Sequence, residues 1–179
     1  MKQQWKLRLA NESDVPALEK LIPLSVRGLS WADYSSAQMD AALGSVFGVD
    51  RQLIRDGTYF VVAENGELIG GGGWSKRKTL FGSDHQTNRD DAELDPAHDA
   101  ARIRAFFIHP DHARRGLGRA ILEECEKAIR AAGFQSIELA STLPGVPFYS
   151  ACGYASGERS DIPLSDGLSL GILRMRKQL

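Results

Sequence analysis

The chain has 179 residues, which is the length of one domain. A domain of this size buries about 70 % of its unfolded surface and needs no metal or disulfide to form a core. Apolar residues make up 42 % and charged residues 25 %, which excludes wholesale disorder, collagen and a coiled coil. The 22 basic and 23 acidic side chains leave a net charge of −1, so no overall field favours nucleic acid or an anionic membrane.

The N-terminal residues and the cysteines predict a cytoplasmic protein. The stretch from Met1 to Lys6 lacks the apolar run of a signal peptide, and no apolar run in the chain is long enough to cross a bilayer. Cys125 and Cys152 are the two cysteines, and both are expected to be reduced thiols.

The first third of the chain is predicted to be mainly helical. Its elements are, in order, a strand over 5–9, a helix over 15–22 that Pro23 ends, a helical stretch after Trp31 and a helix over 49–55.

A hairpin and a long loop come next. A strand over 58–63 meets the turn Asn65-Gly66, and the returning strand runs into four glycines at 70–73. The glycines indicate close approach by a ligand or by other backbone, or tight packing under a helix. Residues 76–100 are polar and are predicted to form a long loop.

The rest of the chain alternates strands and helices. The predicted elements are a strand over 102–108 closed by Pro110, a helix over 116–132, a strand over 136–142, a short helix over 147–152 and a strand over 168–175. Hairpin and crossover connections together predict one α/β (α+β) domain, with a mixed sheet and helices on both faces.

An anion site is predicted where the helix after Pro110 begins. Helix N-termini carry free N–H groups and partial positive charge, and glycines let a ligand approach the backbone. Gly116 and Gly118 open this helix, and Arg114, Arg115 and Arg119 add full charges. The alternative is an ordinary helix start with solubilising arginines. The third glycine of a dinucleotide fingerprint is missing, as is the G-K-[ST] of a nucleoside-triphosphate loop.

Two motifs resemble those of the GNAT superfamily of N-acetyltransferases, which use acetyl-coenzyme A (acetyl-CoA). Ile108-His109-Pro110 fits the end of the family's x-V-x-P strand, and Gly116 with Gly118 fits the [QR]-x-x-G-x-[GA] that opens a helix. Downstream, residues 148–154 (FYSACGY) match F-Y-x-x-x-G-[FY]. The resemblance implies a GNAT-like single domain over 1–179, with a mostly antiparallel central sheet of about six to seven strands.

The resemblance also implies roles for individual residues. Backbone groups of Phe106, Phe107 and Ile108 would pair with the pantetheine arm and the acetyl group. Tyr149 would be the catalytic general acid that protonates the departing thiolate. The remaining cofactor-binding positions are the pyrophosphate-holding amides of Arg114, Arg115, Gly116, Leu117, Gly118 and Arg119, and Thr142, which stands where many members have Asn.

The sequence departs from the family pattern at two further positions. Ala113 stands where Gln or Arg is usual, which removes a side-chain contact but not the amides. Arg104 stands where several members carry a glutamate base, and a guanidinium cannot accept a proton at neutral pH. The candidate bases are Glu138, His109, Glu93 and His98, with ordinary structural roles favoured for Glu138 and His109. No base is assigned, and no plausible metal site is found.

The resemblance implies transfer of acetyl from acetyl-CoA to a small-molecule amine or amino acid. Arg102 and Arg104 are expected to share a strand face with Phe106 and Ile108. There they would either favour an anionic acceptor or form ion pairs with the acidic loop at 90–99. The ion pairs are the favoured interpretation. That acidic loop could instead attract a cationic amine.

Two other functions are considered, and one assembly is expected by analogy. A catalytically weak acyl-CoA-binding sensor domain is the main alternative. A phosphate-binding or nucleic-acid-binding module is disfavoured by the neutral charge. Relatives are often dimers, so a homodimer is expected by analogy alone.

Overall fold

The computed structural model describes residues 5–86 and 88–179. The strands are β1 (Trp5–Leu9), β2 (Tyr59–Glu64), β3 (Glu67–Ser75), β4 (Ala101–Ile108), β5 (Ser136–Thr142), β6 (Ala155–Pro163) and β7 (Ser169–Gln178). The helices are α1 (Val15–Ser30), α2 (Ser36–Ala42), α3 (Arg51–Arg55), α4 (Leu117–Ala131) and α5 (Val146–Ala151). The interpretation of residues 1–4 as lacking a signal peptide lies outside the described residues.

Seven strands form one mixed sheet in the order β1-β2-β3-β4-β5-β7-β6. Every neighbouring pair is antiparallel except β4 and β5, which run parallel. The predicted single domain with a mostly antiparallel mixed sheet is therefore confirmed. The turn between β2 and β3 also follows the prediction, since Asn65 (φ 51°) and Gly66 (φ 87°) both take the left-handed conformation that a tight hairpin requires.

Two hydrophobic clusters cover the two faces of the sheet. The first joins α1, α2 and α3 to residues such as Tyr59 and Phe107. The second joins the buried stripe of α4, including Ile121 and Ile129, to the opposite face. These clusters confirm that helices lie on both faces.

The four glycines of β3 pack against the protein's own residues. A Cβ on Gly72 would lie 2.5 Å from the Phe106 ring, and one on Gly73 would lie 2.7 Å from the Thr58 carbonyl oxygen. Both distances are shorter than side chains allow. The packing interpretation of these glycines therefore accounts for them without a ligand.

The prediction that Pro23 ends the first helix is wrong. Helix α1 continues to Ser30 with Pro23 inside it. A proline removes one helical hydrogen bond and crowds the preceding turn. Here the segment beyond it still buries Val26, and burial of a large apolar side chain stabilises the structure by about 1.5–3 kcal/mol.

One edge strand was missed by the sequence analysis. Strand β6 is exposed at seven of its nine residues and shows no hydrophobic alternation, yet it pairs with β7 along most of its length. The described residues between β3 and β4 form turns and bends, with one isolated bridge between Arg77 and Glu93. Among the described residues, no helix combines the length and the hydrophobicity that crossing a bilayer requires.

Candidate active site

The site lies where the two parallel strands of the sheet separate. Strands β4 and β5 pair only at Ala101–Ile137 and Arg102–Glu138. Beyond these pairs, neither strand is bonded to the other as far as Ile108 and Thr142. The sheet therefore opens into a gap with backbone polar groups along its edges.

A bulge in β4 sets which side chains face the gap. Phe107 pairs with Gly71 of β3 and Arg104 with Gly73, so β4 contains one more residue than β3 over this stretch. Ala105 takes the left-handed conformation at φ 57°, and its carbonyl accepts a hydrogen bond of 2.8 Å from the Tyr59 hydroxyl. An extra residue in one strand reverses the alternation of side chains beyond it.

The expectation that Arg102 and Arg104 share a face with Phe106 and Ile108 is consequently wrong. Phe106 packs with the α4 cluster, whereas Phe107 lies in the cluster of α1 to α3. Arg104 reaches Asp50 at the start of α3. The bulge thus places Arg104 and Phe106 on opposite sides of the sheet.

The predicted anion site is a turn of unpaired amides, residues 114–119, which we call the amide turn. Arg114 (φ 64°) and Gly116 (φ 83°) both take left-handed conformations, and no side chain caps the helix. The first backbone bond of the helix runs from Ala120 N to Gly116 O. Within residues 5–86 and 88–179, the six amides of the turn donate to no acceptor. They are therefore available to an anion.

The arginines of the amide turn differ in their surroundings. Arg115 donates to both carboxylate oxygens of Glu64, at 2.7 and 3.1 Å. This hydrogen-bonded pair holds the pKa of Glu64 below its ordinary value. Arg114 and Arg119 instead line the adjacent cavity, which Arg115 does not. The guanidinium of Arg115 is bonded to Glu64, so only its backbone amide remains for the predicted cofactor contact.

An outer cavity of about 600 Å³ begins at the amide turn. It runs along the end of β4, under α1 and past α5, with Phe106, Ile108, Ser25 and Phe148 among its lining residues. The Ile108 amide donates to the Ser25 hydroxyl at 3.0 Å. One of the predicted pantetheine contacts is therefore already occupied by a protein group.

An inner cavity of about 100 Å³ lies inside the gap itself. It is lined by residues of both hydrophobic clusters, such as Ile172 from one and Leu139 from the other, so it passes through the sheet. Tyr149 and Arg104 both line it. The two cavities share Phe47, Phe106, Phe107 and Thr142. The amide turn and Tyr149 thus border two adjacent cavities that have these four residues in common.

Tyr149 is held by packing rather than by hydrogen bonds. Its ring contacts those of Phe106, Phe148 and Tyr154 edge to face, with centroids 6.2, 5.0 and 5.7 Å away. Its hydroxyl bonds to no residue that the structure describes. Burial raises the pKa of Tyr149, so the hydroxyl is protonated at neutral pH.

Comparisons with known proteins decide the family. A family model described as the acetyltransferase (GNAT) family matches residues 24–154, which is most of the chain. The chain belongs to the GNAT acetyltransferase family. No curated protein matches the sequence significantly.

Solved structures share the fold of this GNAT protein. A GCN5-related N-acetyltransferase from Rhodopseudomonas palustris is 18 % identical with a TM-score of 0.73, covering 100 % of this chain and 98 % of its own. PaiA N-acetyltransferase from Thermoplasma acidophilum, solved with coenzyme A, is 14 % identical with a TM-score of 0.67 and coverages of 99 % and 100 %. YncA from Salmonella typhimurium, solved with acetyl-CoA, is 16 % identical with a TM-score of 0.64 and coverages of 99 % and 95 %.

None of the four candidate bases of this GNAT protein lines either cavity within the described structure. Glu138 pairs with Arg102 at 2.9 Å and with Arg174 at 3.4 Å. Glu93 pairs with Lys76 at 3.1 Å, and exposed His98 pairs with Asp95 at 2.7 Å. His109 accepts a hydrogen bond from the Asp111 amide at 3.2 Å, which supports its structural interpretation. The described lining of the inner cavity includes no carboxylate and no histidine.

The partner of Arg104 was not found from the sequence. Its Nη2 atom lies 2.8 Å from Asp50 Oδ2 and donates to the Gly82 carbonyl at 2.6 Å. The expected pairing of Arg102 and Arg104 with residues 90–99 is therefore wrong, since their partners are Glu138 and Asp50. Burial lowers the pKa of Arg104, although its guanidinium stays charged. Asp50 precedes a short helix and carries no sequence signal of this contact.

No cluster suited to a metal is present among the described residues, where no group of three or more His, Cys, Asp or Glu side chains converges.

Proposed function

We propose that this GNAT protein transfers an acetyl group from acetyl-CoA to the primary amine of a small molecule or amino acid. The observation that carries the proposal is that a cavity bordered by the six unpaired amides of the amide turn adjoins, through four common lining residues, a cavity lined by Tyr149. A diphosphate fits the one end, and a reacting thioester fits the other.

The outer cavity suits the coenzyme in both charge and shape. Unpaired amides and the cavity-lining side chains of Arg114 and Arg119 offer charge-assisted hydrogen bonds to a pyrophosphate. The unpaired edge of β4 at Phe106 and Phe107 offers hydrogen bonds to the amides of a pantetheine arm. Such an arm would add to the sheet like a strand. Thr142 stands on the opposite edge of the gap.

In the proposed reaction, the amine attacks the thioester carbonyl directly. An alkyl amine has a pKa of about 10.4 and must first lose a proton. Since the described lining of the inner cavity includes no carboxylate or histidine, water is the proposed proton acceptor. The new C–N bond forms as the C–S bond breaks, the nitrogen releases its second proton to water, and the sulfur leaves as a thiolate.

Tyr149 is the proposed donor to that thiolate. A thiol has a pKa of about 8.5, so the thiolate is a weaker base than a tyrosinate. The phenol is nevertheless protonated at neutral pH, and its hydroxyl has no described protein partner, so it is free to donate to the sulfur as the C–S bond breaks. Solvent returns the proton to Tyr149 after the products leave.

Two measurements test this function. Isothermal titration should show acetyl-CoA binding, and a thiol-release assay should then detect free coenzyme A on addition of amines. Adenosine 3′,5′-bisphosphate serves as the control for recognition of the nucleotide alone. Absence of acetyl-CoA binding would refute the proposal at its first step.

A sensor domain that binds an acyl-CoA without turnover is the second candidate. The absence of a carboxylate or histidine base from the described inner cavity favours it. Saturable binding of acetyl-CoA with no thiol release across an amine panel would select this alternative. The cytoplasm is the proposed compartment for either function, because both cysteines are free thiols that suit a reducing environment.

A further inference from the structure

One buried polar atom in the molecule lacks a partner among the described residues. It is Nε of Arg104, on a side chain that is 2 % exposed. A buried donor without an acceptor destabilises a protein by about 1–3 kcal/mol, and by more when the group is charged. Native structures therefore pair such atoms with a protein group, an ordered water or a ligand.

The carboxylate that contacts Arg104 also has other hydrogen-bond or ion-pair partners. Both contacts to Arg104 are made by its Nη2 atom, one to Asp50 and one to the Gly82 carbonyl. Asp50 is also approached by Arg89 at 3.4 Å and accepts a hydrogen bond from the Gln52 amide at 3.1 Å. One carboxylate is thus shared by two guanidinium groups and a helix end. Arg89 has a second partner in Asp91 at 3.1 Å, whereas the Nε atom of Arg104 has none among the described residues.

The position of Arg104 connects its unpaired Nε atom to the reaction. Arg104 lines the inner cavity together with Tyr149, and the bulge at Ala105 turns it away from the face that Phe106 occupies. The described lining of this cavity includes no other ionisable side chain except Tyr149. An anionic group in the cavity would meet one cation, Arg104, whose ion-pair partner Asp50 does not line the cavity.

We propose that the acceptor of this enzyme is a small amino acid whose carboxylate binds Arg104 while its amine faces the thioester. The inference rests on the proposed function and specifies its substrate. The inner cavity is small, with a volume of about 100 Å³. A small cavity favours a short acceptor, such as an α- or β-amino acid.

The discriminating experiment compares each amino acid with its amide. Alanine and alaninamide, or glycine and glycinamide, have the same size and differ in one negative charge. A site built to bond a charged group rejects the analogue that lacks it, so we expect the kcat/KM for the acid to exceed that for the amide on the order of 100-fold. A larger fraction of the amide has an unprotonated amine at neutral pH. This difference alone would make the amide the faster acceptor, so it works against the expected result.

Variants test whether Arg104 is the group responsible. The double substitution Arg104→Gln with Asp50→Asn removes both buried charges together, and Asn still caps a helix. The ratio of acid to amide should fall toward one in this variant. The matched control is Arg102→Gln with Glu138→Gln, which removes an ion pair from the same strands outside the cavity and should leave the ratio unchanged.

A binding measurement covers the case in which the double variant fails to fold or no acceptor turns over. In wild-type protein with coenzyme A, N-acetylalanine should raise the melting temperature and N-acetylalaninamide should not. Equal rates for acid and amide, or equal shifts by both products, would overturn the inference while leaving acetyl-CoA binding intact. Loss of acetyl-CoA binding itself would instead overturn the function on which it rests.

Discussion

Arg104 and Asp50 form a buried ion pair, with Nη2 of the arginine 2.8 Å from Oδ2 of the aspartate. The pair joins the middle of β4 to the residue that caps α3. Asp50 is fully buried, and Arg104 also holds the carbonyl of Gly82. The two contacts of Arg104 therefore connect the strand, the helix and the segment after β3 around the inner cavity.

Asp50→Asn should destabilise the protein strongly. The amide keeps the cap to Gln52 but leaves the charge of Arg104 buried without its partner, and such a loss costs about 3–5 kcal/mol. Urea unfolding followed by circular dichroism measures the change. The control Glu124→Gln removes an exposed pair with Lys127 and should alter stability by less than about 1 kcal/mol. Similar values for the two variants would contradict the importance of burial.

Tyr149→Phe should lower kcat by about 100-fold and leave the affinity for acetyl-CoA nearly unchanged, because it removes only the proton donor. Thiol release and isothermal titration measure the two quantities. Tyr154→Phe is the matched control. Its ring lies 5.7 Å from that of Tyr149, but its hydroxyl donates to Glu126 at 3.0 Å. It should reduce stability and spare kcat, whereas an unchanged kcat in Tyr149→Phe would remove the general acid.

Gly116→Ala should weaken acetyl-CoA binding. At φ 83° an alanine is strained by about 1–2 kcal/mol, although no atom within 4 Å would obstruct its Cβ. Relief of the strain would move the amides of the amide turn. Gly133→Ala, at φ 90° beyond the other end of α4, carries similar strain far from the cavity. Both variants should lose similar stability in urea, but only Gly116→Ala should raise the Kd, and equal Kd values would count against the amide turn.

Stability should fall in acid partly through Asp56. Arg77 donates to its carboxylate at 2.7 and 2.8 Å, and this hydrogen bonding lowers the pKa of Asp56 in the folded protein. The contribution is complete above the unfolded pKa of about 3.9 and is lost as the pH falls through the lower folded value. Arg77→Gln should therefore differ from wild type at pH 6 and approach it near pH 3, as urea midpoints will show. Arg55→Gln, at an exposed position, should track wild type at both pH values. A constant gap for Arg77→Gln would refute the linkage.

Local signals account for the parts of the site that the sequence predicted. The turn at Asn65 and Gly66, the glycines that open α4 and the apolar stripe of that helix depend on residues close together in the chain. Backbone conformation and helical periodicity can be read over such short distances. The same locality explains why a mixed sheet with helices on both faces followed from the order of the elements, whereas the number of strands was implied by the resemblance to the GNAT superfamily.

Features that depend on distant contacts were missed. The bulge at Ala105 is stabilised by a hydrogen bond from Tyr59, which is 46 residues away in the sequence. Alanine rarely takes the left-handed conformation, so the residue type does not predict it. Arg104 and Asp50 are brought together only by the folded sheet. Strand β6 is exposed and is specified by its pairing with β7 rather than by its own hydrophobic pattern.

The gap between β4 and β5 has a consequence for the order in which substrates bind. The two cavities meet at Phe106 and Phe107, but one is otherwise bordered by the amide turn and α1, and the other by the β6–β7 hairpin and the segment after β3. In the proposed reaction, donor and acceptor would therefore bind together, one in each cavity. Initial rates measured against both substrates should give intersecting double-reciprocal lines, the signature of a ternary complex, rather than the parallel lines of a double displacement.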